Sequence, residues 1–556
     1  MPVPAADTLH LKSPDQFRII GQRKTGVDNL AIVTGQPLFG IDQSVPGLRY
    51  AVYEKCPAAG GRVKDANLAE IRKLPGVEQA FILRGNGVMT ELRSGVAIVA
   101  NSTWAALSAG KQLRIDWDLS EASSDSWIRW QQQAREMASA RGKEEVVNHG
   151  DVDASLTLSE QTHSAFYAYP FVAHAPMEPQ NCTAHYRDGK CELWAPTQTP
   201  QRAVTSVAAL LELPESAIKL HQIRAGGGFG RRLMNDYACE AAAISKQAGV
   251  PIKLQWSRED DMAHDFYRVG GFHALQAGLD KKGRVTAWDD HFITFTENGE
   301  TPSQGGDMRS SEFPVPMVAN ARITRTQMPS GIPSGWWRAP GSNVIAFAVQ
   351  GFIHELAVAA GRDHLDFLLE LMNAPLSGKK VLRGLNPERA ANVIRTAAER
   401  AGWGEKRGQG RGLGLAFHFS HRGHVAQVAE VSVDESRRLT LHRVTVAADV
   451  GPIINLSGAE NQVEGSIIDG FSTMMGLGLD IEEGIVQQSN FHDYQLLRMG
   501  HAPQIDIHFL QSEHPPTGLG EPALPPLAPA VGNAIFAASG IRVRELPLVK
   551  NGFTLA

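Results

Sequence analysis

The stretch Gly518-Leu519-Gly520-Glu521-Pro522-Ala523-Leu524-Pro525-Pro526-Leu527-Ala528-Pro529-Ala530 constrains this backbone more than any other segment of the chain. Prolines at 522, 525, 526 and 529 fix φ, while Gly518 and Gly520 permit backbone angles and close approaches closed to other residues. One carboxylate, Glu521, stands between the glycines and the prolines, just ahead of a segment that reads as a helix. Two readings follow. Either the loop holds Glu521 in place for chemistry, or it only caps the helix and leaves the acid solvated.

Composition narrows the classes. A chain of 556 residues has room for roughly three or four domain-sized units. Hydrophobic content of 43% and charged content of 20% suit a globular protein, and a net charge of -5 with no long basic run gives no reason to expect nucleic acid. The N-terminus, Met1 to Phe17, carries no basic-then-apolar leader and no twin arginine. No uninterrupted apolar stretch is long enough to span a bilayer. The cytoplasm is therefore the default location, with co-export beside a signal-bearing partner as the alternative. Cys56, Cys182, Cys191 and Cys239 form no C-x-x-C pair, which disfavours zinc or a cysteine-held cluster and leaves buried free thiols as the expectation.

Elements of both kinds alternate along the chain. Strands are expected near 48–53, 96–100, 113–117, 218–223, 253–256, 425–433 and 439–447, with a hairpin over 271–295 turning at Lys281-Lys282-Gly283. Helices are expected over 203–213, 234–247, 342–360 and 462–471, and Ser102 is placed to cap another. Residues 119–150, rich in Ser, Asp, Glu, Gln and Arg, read as a linker bearing a surface helix.

Several motifs carry chemistry. In Arg224-Ala225-Gly226-Gly227-Gly228-Phe229-Gly230-Arg231-Arg232, three glycines between a strand and a helix make a nest for an anion, and the arginine forks suit a phosphate. The bland alternative is a tight turn with solvated arginines. Gln198, in Trp194-Ala195-Pro196-Thr197-Gln198, offers an amide donor to an oxo group or anion. Trp336-Trp337-Arg338 combines flat surface with one cation, as a pocket for a planar substrate requires. Asn461-Gln462 opens a helix with amides. Glu178, between Pro176 and Pro179, reads as part of a structural turn, and the acids of Arg258 to Asp265 as a solvated helix start. His418, His421 and His424 lie in a segment, 412–433, that looks continuously extended, so residues three apart face opposite ways and make a poor metal site.

In this order, the Gly226–Gly230 run, the Gly520–Ala530 loop and Asn533-Ala534-Ile535-Phe536 resemble the xanthine dehydrogenase and aldehyde oxidase family of molybdenum hydroxylases. Within it, the chain looks most like large subunits of the isoquinoline 1-oxidoreductase β type. The resemblance covers residues 17–548. It implies an α+β, multi-domain large-subunit architecture: an N-terminal extension (1–31), an α/β hammerhead-like domain (32–118), the linker (119–150), and a molybdopterin-binding region in two parts (151–403 and 404–556).

The resemblance also implies roles. Glu521 would be the general base beside the metal, with a pKa near or above the ordinary carboxylate value. Gln198, Gly226, Gly227, Gly228, Phe229, Gly230, Arg231, Gln462 and Gly520 would contact the cofactor. Arg338 and Trp337 would line the substrate pocket. No protein side chain would ligate molybdenum, which is held through the pterin, in its cytosine dinucleotide form. Electrons would pass to a separate ferredoxin-like iron–sulfur subunit. The activity implied is hydroxylation of an aldehyde or an N-heteroaromatic carbon with oxygen from water; the alternative is a non-catalytic assembly subunit that keeps the fold without the cofactor. Arg231, Arg232 and Leu233 stand where the purine-oxidising branch has an acid, which argues against purines, and Ala339 after Arg338 excludes the cysteine motif of the carbon monoxide branch. Relatives of this type carry a further N-terminal cofactor-binding region, so a second chain is expected to supply those loops.

Overall fold

The computed structural model describes residues 3–378 and 382–556. Three sheets organise it. The first runs in the order 218–222, 190–195, 181–187, 252–255, 49–55, 95–100, 77–83. Its last three strands come from the unit expected at 32–118, and the other four from beyond residue 180. Strands Arg49–Lys55 and Ile252–Gln255 pair in parallel, so the two stretches share one sheet. Ser102 caps helix Thr103–Gly110 by accepting the amide of Ala105.

The second sheet runs 144–149, 320–329, 285–296, 271–279, 161–169, with the expected hairpin at its centre. Residues 119–150 are not a free linker. Helix Trp127–Met137 buries Trp127, Trp130 and Ala134 against Phe171, Phe272 and Phe295, and strand Glu144–His149 joins the second sheet. The apolar i, i+3, i+7 spacing of those three residues turns one helix face inward, which the polar average of the stretch conceals.

The third sheet, 411–420, 423–433, 438–449 and 504–509, begins with a hairpin turning at His421-Arg422. The single extended segment expected over 412–433 is therefore two strands. The signal was present: Ser420-His421-Arg422-Gly423 is a polar interruption between two apolar runs. Helix Leu527–Ser539 lies directly on strand Arg411–Ser420. Gly414 makes this possible, since a Cβ there would stand 2.1 Å from the carbonyl oxygen of Ala530. The proline loop is thereby pinned at its C-terminal end.

The largest core joins the second and third sheets around helices Ser342–Ala359, Pro387–Ala401 and Leu527–Ser539. Among the described residues, Ser342–Ala359 is the one helix long and apolar enough to cross a membrane, and here it is buried inside the protein. All four cysteines are buried free thiols.

Candidate active site

Six stretches converge on one cavity of about 620 Å³: Gln198, the end of the glycine run, Trp336 to Pro340, the hairpin turn at His421, the first turns of helix Leu456–Gly476, and the proline loop. Its wall includes Gln198, Phe229, Gly230, Arg338, Gln462, Gly520 and Glu521, seven positions that the sequence singled out. A separate cleft of about 680 Å³, with Arg135, His291, Arg322 and Arg544 in its wall, shares no residue with it. There the charge is already neutralised: Arg322 pairs with Asp153 and Asp289, and Arg544 with Glu355.

Glu521 is held at both oxygens. Its Oε1 accepts the amide of Ala339 at 3.0 Å, and its Oε2 accepts Nε2 of His421 at 2.8 Å. The side chain remains 36% exposed, toward the cavity. These contacts hold its carboxyl below the usual carboxylate range: the His421 hydrogen bond is the largest influence, and with the Ala339 amide it outweighs the opposing effect of burial. The expectation of a pKa near or above the ordinary value, if burial raised it, is therefore corrected: burial does push upward, but the His421 contact, invisible in the local sequence, wins. Gly518 and Gly520 also differ from expectation. Neither has a positive φ, and a Cβ at Gly518 would meet nothing within 4 Å.

Arg338 braces the loop against the helix. Its Nε donates to the carbonyl of Gly520 at 2.7 Å, and its Nη2 to the carbonyl of Gln462 at 3.1 Å and the hydroxyl of Ser466 at 2.9 Å. Asp469 lies 3.5 Å from Nη1, its carboxyl pushed up to about 6 by burial, with Arg338 pulling the other way. Arg338 thus positions Glu521 while presenting part of its surface to the cavity.

The glycine run is placed differently from the expected phosphate cradle. The amide of Gly226 donates to Glu178 Oε2 at 2.6 Å, and a Cβ on Gly226 would collide with Glu178. Gly227 and Gly228 sit against Pro176 and the side chain of Gln198, so Phe229 and Gly230 are the residues of the run in the cavity wall. Gly230, at φ +115°, passes so close to Trp336 that any side chain would strike its carbonyl oxygen.

Two site assignments are corrected. Arg231 is fully buried behind the run, held by Asp236 at 2.8 Å and Asp265 at 3.1 Å, and it has no face toward the cavity. Asp265 also takes the amide and Nδ1 of His174, so of the acids after Arg258 Asp261 and Asp265 are buried counter-charges, while Asp260 closes the cap of helix Arg258–Ala263 with Ser257 and Glu259 is exposed, as a capped, solvated helix start requires. Trp337 packs into the core over the guanidinium of Arg268, and its neighbour Trp336 takes the cavity position. In an extended segment successive side chains face opposite ways, so choosing between Trp336 and Trp337 required the register.

The sequence reading missed the roles of His421 and the Ala339 amide, while Asn461, noted beside Gln462, does reach the cavity wall. His418 and His424 lie buried on the two strands of the hairpin, their pKa values pushed down to about 3 chiefly by burial. Among the described residues, no group of three or more His, Cys, Asp or Glu side chains is arranged to hold a metal ion directly.

Residues 137–370 and 389–503 each match the molybdopterin cofactor-binding domain, together more than half of the chain. The chain is 29% identical to a membrane-bound aldehyde dehydrogenase (pyrroloquinoline-quinone) of Gluconacetobacter polyoxogenes, over 97% of this chain and 73% of that protein. It is 28% identical to isoquinoline 1-oxidoreductase subunit beta of Brevundimonas diminuta, over 98% of this chain and 70% of that one. Its fold matches the crystal structure of quinoline 2-oxidoreductase from Pseudomonas putida 86 with a TM-score of 0.78, covering 96% of this chain and 97% of that chain at 14% identity, a likeness of fold alone. The chain belongs to the xanthine dehydrogenase and aldehyde oxidase family of molybdenum hydroxylases, as a large subunit with molybdopterin-binding domains.

Proposed function

We propose that this chain is the molybdenum-cofactor-binding catalytic subunit of an oxidoreductase that hydroxylates an aldehyde or an N-heteroaromatic carbon with oxygen from water. The observation that carries this reading is Glu521, a carboxylate oriented by the Ala339 amide and His421, half-open to a cavity walled by amides and backbone.

The wall suits the cofactor. Gln198, Asn461 and Gln462 bring amide groups, and Phe229, Gly230 and Gly520 bring main chain to a space of about 620 Å³. Gly520 lacks a Cβ where one would project without any clash inside the chain, 3.5 Å from Gln462 Oε1, which leaves room for an external group to approach closely. Gln198, Gln462, Phe229, Gly230 and Gly520 would hold the pterin. When bound, the cofactor supplies the two-electron oxidising centre at which oxygen from water reaches the substrate carbon.

The chain's own residues handle protons and geometry. Oxidation of an aldehyde by water releases two electrons and two protons, and a positioned carboxylate accelerates such a proton removal by about 10²–10⁴-fold. Glu521 Oε2 takes the proton on its remaining lone pair, while the Nε2–H of His421 donated to the same oxygen keeps the carboxylate ionised and oriented beforehand. The Ala339 amide fixes the carboxylate plane, and the Arg338 brace keeps the loop from drifting.

We further propose that the cofactor is the cytosine dinucleotide form and that electrons leave through a ferredoxin-like iron–sulfur subunit. We place the complex in the cytoplasm, with co-export beside a signal-bearing partner as the alternative. The test is Glu521→Gln in the native complex: molybdenum content stays stoichiometric while kcat falls by about 10³-fold. Unchanged turnover refutes the base. Absence of molybdenum from the native complex favours the non-catalytic reading instead.

A further inference from the structure

Beside the Glu521 cavity lies a second one of about 640 Å³, and the two share Trp336, Pro340 and His421. Its wall carries three exposed arginines, Arg309, Arg383 and Arg422, and among the described residues none of the three has a side-chain hydrogen bond or ion-pair partner. This is unusual for the chain, whose other site-proximal cations, Arg231, Arg232 and Arg338, are all paired. The acids facing the same space do not cancel the charge. Asp307 is committed to Arg325, and half-buried Glu312 has its carboxyl pushed up to about 7 by desolvation against the pull of Arg309.

A buried, unpartnered polar group borders the same space. Ser420 is 7% exposed, lines this vestibule, and its Oγ has no hydrogen-bond partner. Leaving a buried hydroxyl without a partner is costly, so such a group is normally found where something else meets it. Trp336 and Phe419 add aromatic surface to this wall, and Trp336 borders the Glu521 cavity as well.

We propose that this vestibule is a recognition subsite for a carboxylate carried on a flat substrate. Arg309, Arg383 and Arg422 supply the counter-charge, Ser420 donates to the carboxylate, and the ring lies along Trp336 with its reacting carbon toward Glu521. The substrate class is thus an aromatic or heteroaromatic acid that bears the oxidisable aldehyde or ring carbon. The inference rests on the activity proposed above for its chemistry, and on the vestibule alone for its charge selectivity.

The native complex is tested in two arms. In the first, benzoate and inorganic phosphate are titrated by calorimetry into the native protein and into a variant combining Arg309→Gln, Arg383→Gln and Arg422→Gln; Ser420→Ala is measured separately. Benzoate binds, phosphate does not compete, and the triple variant weakens benzoate by about tenfold or more, as expected when a desolvated charge site is removed. In the second arm, kcat/KM is compared for 4-carboxybenzaldehyde against 4-methylbenzaldehyde, and for pyridine-3-carboxylate against 3-methylpyridine. The acid member is preferred by about tenfold, the preference falls with ionic strength, and the ratio collapses toward one in the triple variant. The proposal is overturned if benzoate does not bind, if the triple variant binds it equally well, or if phosphate is the anion retained. Turnover without preference for the acids also overturns it. Arginine-dependent benzoate binding with no turnover of either pair leaves the subsite standing and removes the proposed activity instead.

Discussion

Glu178 and Glu521 are written alike in the sequence, each an acid followed directly by proline in a proline-rich loop, and the fold puts them to opposite uses. Glu178 has a side chain only 6% exposed and accepts from four donors: the amides of Ile41 and Gly226, the side chain of Asn181, and Arg232. Every lone pair it offers is spent inside the protein. Glu521 has two donors and keeps an open flank toward a cavity. The difference teaches that a rigid loop around an acid marks constraint, and that the number of internal partners separates a strut from a reagent.

That contrast is most directly broken at Glu178. Replacement by alanine strands the buried Arg232 guanidinium and the Gly226 amide, and is expected to destabilise the chain by about 3–5 kcal/mol in chemical denaturation. A loss below about 1 kcal/mol would mean that Glu178 is not the strut described. A second, smaller effect sharpens the support of the Glu521 loop. Gly414→Ala forces a methyl into the backbone of helix Leu527–Ser539, so stability should drop by about 1–3 kcal/mol. The loop leading into that helix shifts with it, and turnover should fall further than stability alone explains.

The smallest expected effect is a shift in pH dependence. Because His421 holds the Glu521 carboxyl below its usual range, the base stays ionised to lower pH, and whatever stability the contact contributes is lost only as pH falls through that depressed value. His421→Asn removes the largest lowering influence, so the acid limb of the kcat/KM profile should move to higher pH. An acid limb that stays in place, or moves down, would separate His421 from the base.

Much of the architecture was legible. The hairpin over 271–295, the helix over 342–360 and the Ser102 cap follow from local periodicity and turn chemistry, which depend on neighbours within a few residues. The convergence of Gln198, Arg338, Gln462 and Glu521 on one cavity came from the resemblance of motifs rather than from any local rule. What escaped was long-range. Arg231 reads as a phosphate fork until Asp265 is seen against it, Trp337 and Trp336 exchange roles by one step of register, and helix Trp127–Met137 hides its buried face in a polar stretch.

The sequence by itself determined the punctuation: where prolines stiffen the chain, where glycines admit close packing, and which side chains carry usable chemistry. Tertiary structure alone decided which of those side chains are consumed as partners and which are left facing a cavity. The reason is physical. Backbone preferences act over a few bonds, whereas the ionisation and availability of a carboxylate depend on donors brought together from positions scattered along the chain, as His421 and Ala339 are at Glu521.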